Sequence, residues 1–520
     1  MSEERTGFRL WAAAEPDLCA IVTADDRRIS YGELFAEVNR ISHGLREHAG
    51  LRTGDTVAAV MTNSAGLVAL YLAAMQSGLY LVTLNYHLTE PEVAYILADS
   101  GAKVVVGSER VEHVVVAAAG STAAGSTDGI QVFVDGTPTS DRAQPLSALT
   151  AGQPATSPEQ TPAGSLMMYT SGTTGRPKGV KRPLSGVDAD TGALTYTWLF
   201  REFGMERPAF ASWLVCAPMY HSANITGAMG ALHAGGTMVL MDGWTPEGFL
   251  RRVQDRRVTG TSMVPTHFYR LLQLPPQVRE SYDVSSLRYV LHGAAPCPRE
   301  VKQRILDWFG PVVYEYYGST EVGTTVARPE QWLAHPGTVG RPASISTLKI
   351  LDELGNEVPA GQTGIVYMRQ GDDRVEYHND PGKTDGARRD GLMTVWDVGH
   401  VDADGFLYIT GRAAELILVG GVNVYPAEIE AALLEHEWVA DAGVVGVPDP
   451  EFGEVPQAHL VLGETAPGAD AALAELRRHL ADRLAKPKRP VSYVVRDALP
   501  RDPNGKLYKA RLTPRTQVSA

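Results

Sequence analysis

Met168-Tyr-Thr-Ser-Gly-Thr-Thr-Gly-Arg-Pro-Lys-Gly-Val180 decides how this chain is read. Between Thr170 and Pro177 there is too little apolar character for a buried helix or strand, and too many helix and strand breakers. The composition suits a loop wrapped round phosphate. Gly172, Gly175 and Gly179 let backbone N–H groups approach an anion. The hydroxyls of Thr170, Ser171, Thr173 and Thr174 add donors, and Lys178 adds a positive charge. The loop is not a Walker A motif, because Pro177 stands where that motif runs on to Gly-Lys-Ser/Thr.

Four later segments extend the pattern: Tyr317-Gly-Ser-Thr-Glu321, Asp397-Val-Gly with Gly405-Phe-Leu-Tyr-Ile-Thr-Gly-Arg412, Gly420-Gly-Val-Asn-Val-Tyr-Pro426, and Pro500-Arg-Asp-Pro-Asn-Gly-Lys506. Together with the phosphate loop they resemble, in order and spacing, the adenylate-forming superfamily of acyl-CoA synthetases, aryl-CoA ligases, luciferases and peptide-synthetase adenylation domains. The resemblance runs from about residue 28 to about residue 512 and favours the acyl-CoA synthetase branch. It implies an α/β fold: a large N-terminal domain of mixed α/β layers with a β-rich subdomain, and a small α+β C-terminal lid. The expected division is 1–412 and 413–520, with a hinge at 412–415.

Size and charge agree with that reading. A chain of 520 residues exceeds what one core usually holds. A net charge of -13 leaves no basic stripe for nucleic acid. ATP is not excluded, since a loop, a lysine and a metal neutralise its charge locally. Cys19, Cys216 and Cys297 are far apart and fit reduced thiols in place of a disulfide frame or zinc site. The N-terminus lacks a basic-then-apolar leader, so a cytoplasmic location is expected. Residues 56–89 carry no Asp, Glu, Lys or Arg, but Thr62-Asn-Ser64, Gln76-Ser-Gly78 and Asn85 interrupt any membrane span. They parse as strand 57–61, helix 67–75 and strand 80–84.

Other elements follow from periodicity. Leu34, Val38, Ile41 and Leu45 share one face of a helix over 31–47. Strands are expected at 104–106, 211–217, 237–241, 260–264, 289–292 and 312–316, with helices at 246–255 and 299–309. Residues 345–374 read as strand and turn. Residues 118–129, with a doubled Ala-Ala-Gly-Ser-Thr, read as a loop, and 136–164 as a surface connection. The last part reads as helix 427–434, strands 439–447 and 457–462, helix 471–484 and strand 492–495.

A carboxylate is a poor electrophile, and attack on the α-phosphorus of ATP converts it to a mixed anhydride. That step needs phosphate neutralisation, a metal, a grip on adenosine and a cation at the developing charge. The resemblance supplies candidates. Glu321, with Thr173, would hold Mg²⁺. Thr320 would bond the α-phosphate, while Tyr316 or Tyr317 offers adenine a face. Ala294, Glu315 and Gly318 complete the nucleotide segments. Asp397 would accept both ribose hydroxyls, with Arg412 at the ribose edge. Lys506 would bridge carboxylate and α-phosphate in the transition state. Gly420 and Gly421 would line the pantetheine tunnel for CoA after a lid rotation about the hinge. Two positions depart from the family pattern. Trp396 replaces the glycine usual before the ribose aspartate, so the local backbone or pocket should differ. Ala414 replaces the usual hinge Asp or Lys, so typical rotation kinetics are not assumed.

His221, in Pro218-Met-Tyr-His221, resembles the histidine between the ATP and acyl sites. Asn224, Gly227, His292 and Gly293 should line the acid pocket. Segment 220–230 contains no aspartate to pair an amino group, which argues against a free amino acid. The expected activity is ATP- and Mg²⁺-dependent acid:CoA ligation of a fatty or alicyclic acid, or else loading of a carrier protein. The partners are small molecules, and a homodimer is compatible with the sequence. Hydrolase, zinc-protease and nicotinamide motifs are absent.

Overall fold

The structure is a computed structural model that describes residues 6–122, 129–170, 177–371, 374–420, 422–502 and 505–512. The chain forms two compact units: Met1–Ser262 with Pro276–Leu291 and Asp372–Ala387, and Met263–Pro275 with His292–Gly371 and Arg388–Ala520.

In the first unit, six parallel strands lie in the order Gln144–Pro145, Gln131–Asp135, Ala102–Ser108, Thr56–Val60, Tyr80–Thr83 and Ser165–Leu166. Covered parallel strands read as unbroken apolar runs, and Val104, Val105 and Val106 are all fully buried. The uncharged stretch resolves as the helix Ala65–Gln76, buried from Leu67 to Gln76. Gln76 is tolerated there because its Nε2 donates to Asn39 Oδ1 (3.0 Å) and Ser42 Oγ (2.7 Å). Both acceptors sit on the helix Tyr31–Glu47, which opens with a capping box between Ser30 and Glu33 and buries Leu34, Val38, Ile41 and Leu45. A second sheet pairs Gly260–Met263, Ser212–Val215, Thr237–Leu240 and Cys19–Val22 in parallel, ending on antiparallel Arg28–Ser30. Among the described residues no helix is long and apolar enough to cross a membrane.

The second unit is mainly antiparallel. Val313–Gly318, Thr324–Ala327 and Arg341–Pro342 pair in sequence. Ser346–Leu351, Gly364–Gln370, Asp397–Val401 and Leu407–Arg412 form the main part of another sheet. The C-terminal portion packs Pro426–Leu434 and Ala469–Ala481 on a sheet built round the long pair Val439–Asp449 and Gly453–Leu462.

Two expectations change. Residues 136–164 are more than a surface connection: Gln144–Pro145 joins the sheet, and the short helix Ser147–Thr150 buries Leu149. Gly44 admits this contact, since a Cβ there would overlap the Leu149 carbonyl. The repetitive segment expected as a loop from 118 begins inside the helix Glu112–Thr122, with Ala118 and Ala119 buried; residues 123–128 lie outside the described residues.

Candidate active site

The segment expected to bind phosphate is flanked by two strands of a three-stranded antiparallel sheet in the first unit. Met168–Thr170 pairs with Lys178–Lys181, which pairs with Glu376–Tyr377, and Thr170 lies opposite Lys178. Lys178 Nζ is 3.0 Å from Asp380 Oδ2. The hydrogen bond from Lys178 to this carboxylate raises the lysine pKa and lowers that of Asp380. A phosphate reaching Lys178 therefore competes with a resident counter-ion. Ser171, Gly172, Thr173, Thr174 and Gly175 lie outside the described residues.

The same unit holds His221, Asn224 and Gly227 at the start of the helix Ser222–His233. Asn63, which sequence reasoning missed, fixes the segment before them: its Nδ2 donates to the Ala217 carbonyl (3.1 Å), and its Oδ1 accepts from Met219 N–H (2.9 Å). Asn224 Nδ2 donates to the Pro218 carbonyl at 3.1 Å. A Cβ on Gly227 would lie 3.2 Å from the Trp213 ring, so a small residue permits that packing.

The adenosine candidates belong to the second unit. Gly293 passes so close to the strand Val313–Gly318 that a Cβ would lie 2.5 Å from the Tyr316 carbonyl oxygen. Glycine is required there by proximity, and Ala294 follows with φ 66°. Asp397 is held from both sides: Tyr317 Oη donates to Oδ2 at 2.6 Å and Arg412 Nε to Oδ1 at 2.9 Å. Each carboxylate oxygen keeps a further lone pair for a hydroxyl. Trp396 keeps a glycine-like left-handed backbone at φ 66° and stays partly exposed, so the fold does not have to enclose the whole side chain. Glu321 is nearly buried, with Oε2 accepting from Ser319 Oγ at 2.8 Å. Thr320 lies between them. These hard oxygen donors fit Mg²⁺ and give no soft ligand for another metal.

Glu315 and His292, expected at the nucleotide and acid sites, lie in a buried cluster. Lys302 Nζ is 2.5 Å from Glu315 Oε2, and His292 Nε2 is 3.5 Å from the same oxygen. Burial pushes the Glu315 pKa up and those of Lys302 and His292 down. His292 has no exposed surface and packs edge-on to Phe268. Lys302 carried no sequence signal, since a lysine on an amphipathic helix reads as solvent-facing.

Lys506 stands at the end of a braced turn. Its N–H donates to Asp502 Oδ1 (2.9 Å), and Gly505 N–H donates to the Asp502 carbonyl (2.8 Å). Arg501, another residue the sequence did not single out, donates to both Asp441 oxygens (2.8 and 2.7 Å) and to the Gly505 carbonyl (2.6 Å). Although the Lys506 side chain keeps solvent contact, protein packed round its amine and the Arg412 guanidinium hold its pKa below the ordinary lysine value, with Asp502, Glu321 and Glu415 opposing. Gly505 has φ 79°, and a Cβ there would collide with the Thr266 hydroxyl. Gly505→Ala should therefore displace Lys506 and slow single-turnover adenylation by about 10- to 100-fold. Thioester formation from supplied acyl-adenylate should change less than threefold as a rough bound. Equal losses in both rates would refute this account of Gly505.

Gly420, at φ 55°, is exposed and donates its N–H to the Phe452 carbonyl (2.9 Å); Gly421 lies outside the described residues. Ala414 is exposed in the turn Ala413–Glu415, and Glu415 pairs with Lys509 at 2.6 Å.

Known proteins carry the same pattern. The AMP-binding enzyme model matches residues 8–372, and the model of that family's C-terminal domain matches 428–506. A feruloyl-CoA synthase from Amycolatopsis sp is 33% identical over 492 residues, covering 93% of each chain. A fatty acid–[acyl-carrier-protein] ligase from Streptomyces coeruleorubidus is 32% identical over 515 residues, covering 97% of this chain and 94% of its own. Among solved structures, the o-succinylbenzoate CoA synthetase of Bacillus subtilis with its acyl-adenylate intermediate superposes with a TM-score of 0.80 at 26% identity, covering 98% of this chain and 97% of its own. Motifs, architecture and these likenesses agree: the chain belongs to the AMP-binding enzyme family.

Proposed function

We propose that this chain is an AMP-forming acid:CoA ligase acting in two half-reactions. The observation that carries the reading is the Asp397 carboxylate held from both sides by Tyr317 and Arg412, in the same unit as the nearly buried Glu321 and the braced turn that ends in Lys506. In the first half-reaction the acid's carboxylate oxygen attacks the α-phosphorus of ATP and pyrophosphate leaves. Asp397 and Arg412 hold the ribose, Tyr316 or Tyr317 faces adenine, and Thr320 bonds an α-phosphate oxygen. The Lys506 ammonium stabilises charge at carboxylate and α-phosphate. Thr170, Ser171, Gly172, Thr173, Thr174, Gly175 and Lys178 receive the phosphates. Glu321, with Thr173, would hold Mg²⁺, which supplies charge neutralisation when bound.

In the second half-reaction the CoA sulfur attacks the acyl carbonyl and AMP leaves. Gly420 and Gly421 form the pantetheine passage after the 413–520 lid turns about Ala414. His221 stands between the ATP and acyl sites, with Asn224, Gly227, His292 and Gly293 on the acid side. The substrate is a carboxylic acid of fatty or alicyclic type, which would place the enzyme in lipid metabolism in the cytoplasm. A homodimer is the assembly to test by light scattering.

Carrier-protein loading is the second reading, favoured by the likeness to an acyl-carrier-protein ligase. Mass spectrometry with ATP, Mg²⁺ and a mixed acid panel, with and without CoA, separates the two. CoA-dependent AMP release with one acid's thioester supports the ligase. Acyl-adenylate that accumulates regardless of CoA rejects it and directs the search to carrier proteins.

A further inference from the structure

The helix Pro265–Leu272 belongs to the second unit and buries Phe268, Leu271 and Leu272. Thr266 and Tyr269 stay partly exposed and, three residues apart, are neighbours on the helix surface. They meet the C-terminal portion at two points. The Tyr269 hydroxyl donates to the Val439 carbonyl at 2.9 Å. The Thr266 hydroxyl lies so close to the Gly505 backbone that a Cβ on Gly505 would collide with it. Burial, with the Asp441 carboxylate, pushes the Tyr269 pKa up to about 12, so its hydroxyl stays a donor near neutral pH.

Both points lead to Lys506. The strand Val439–Asp449 shifts register between Val439 and Asp441, where its ladder is interrupted. Tyr269 supplies a donor there from outside the sheet. Two residues on, Asp441 accepts both bonds from Arg501, which also donates to the Gly505 carbonyl. Tyr269 thus grips the start of the strand that carries the brace, and Thr266 abuts the turn that the brace holds. An apolar residue at 269 would pack as well as the tyrosine ring; the hydroxyl adds the bond to Val439.

We propose that Tyr269 is a positioning residue for adenylation, its bond to Val439 seating the Lys506 turn against Thr266. The proposal rests on the reading of Lys506 as the adenylation lysine. Tyr269 precedes the expected hinge at 412–415, whereas Val439 and Gly505 follow it. The bond therefore spans the hinge and is lost when the lid turns. It favours the arrangement with Lys506 in place and adds nothing to the step after rotation.

Single-turnover rates of both half-reactions in wild type, Tyr269→Phe, Lys506→Ala and the double variant test this, with thermal unfolding measured alongside. Tyr269→Phe keeps the ring and removes one neutral hydrogen bond, so acyl-adenylate formation should slow by about 3- to 10-fold. Thioester formation from supplied acyl-adenylate should not slow, and the unfolding temperature should stay close to that of wild type. In the Lys506→Ala background the same substitution should change the residual adenylation rate by less than about twofold, because it acts through the missing amine. Adenylation as fast as wild type in Tyr269→Phe would overturn the proposal. Equal losses in both half-reactions would do so too, as would an undiminished loss with the Lys506 amine gone. Wild type that forms no acyl-adenylate from any acid of the panel rejects the ligase reading, and the proposal with it.

Discussion

Lys506→Ala should lower the rate of acyl-adenylate formation by about 10²- to 10³-fold, while thioester formation from supplied acyl-adenylate stays within a few-fold of wild type. Lys506 ends the braced turn of Arg501, Asp502 and Gly505, and removing its amine leaves the turn's hydrogen bonds given above intact, because they use backbone groups and other side chains. The defect should therefore be chemical and not conformational. Single-turnover measurement of each half-reaction tests this. Equal falls in both would show that Lys506 also serves the second step. The lowered lysine pKa adds a pH signature. The protonated amine is the active form, so adenylation should decline with rising pH before the usual lysine value of about 10.4 is reached. Lys506→Arg, which stays charged, should lose that alkaline decline even if its overall rate is lower.

Lys302→Met alone should cost about 3–5 kcal/mol of stability at neutral pH, whereas Lys302→Met with Glu315→Leu should fall near wild type. Lys302 and Glu315 are both buried, their charged atoms 2.5 Å apart, with the Lys302 amine 4.7 Å from the centre of the Trp332 ring. Removing the lysine strands a carboxylate without its counter-charge, and removing both avoids that penalty. The sign with pH is fixed. In the single variant the folded-state pKa of Glu315 is raised further above its unfolded value, since burial already raises it. Below about pH 4 the carboxyl is protonated in both states and the penalty is small; it grows as pH rises toward the folded-state pKa. Denaturant unfolding at acid and neutral pH measures this. A double variant as unstable as the single one would mean that packing, not charge, governs the site.

Legibility in the sequence followed locality. The helix Tyr31–Glu47 was readable at both ends because its start signal, Ser30 with Glu33, and its apolar period are contiguous. The same holds for Tyr289–His292, Arg299–Phe309 and Ser492–Val495. Leu149 was not readable: Leu146 and Leu149, set among Pro, Ser, Thr and Gly, make too short an apolar period to mark a helix, and the burial of Leu149 depends on Gly44, far away in the chain. Arg501 with Asp441 and Lys302 with Glu315 are pairings whose partner is chosen by the fold and not by spacing. Glu315 and His292 were read from their motif as ligand contacts, but a motif does not reveal that a lysine from the helix Arg299–Phe309 engages the carboxylate. The replacement at Trp396 was visible, but its left-handed backbone and partial exposure were not, because the surrounding fold sets both.

The strand pair at the base of the phosphate loop has a thermodynamic consequence. Thr170 and Lys178 are cross-strand partners, so the two ends of segment 171–177 meet in the folded protein whether or not a ligand is present. The loop-closure entropy of that segment is thus met during folding and is not charged against nucleotide affinity. Closure entropy grows only slowly with length, by about 0.6 kcal/mol per doubling. Lengthening the segment by one or two residues away from its donor groups should therefore alter the chemistry it presents to phosphate far more than the free energy of holding its ends together.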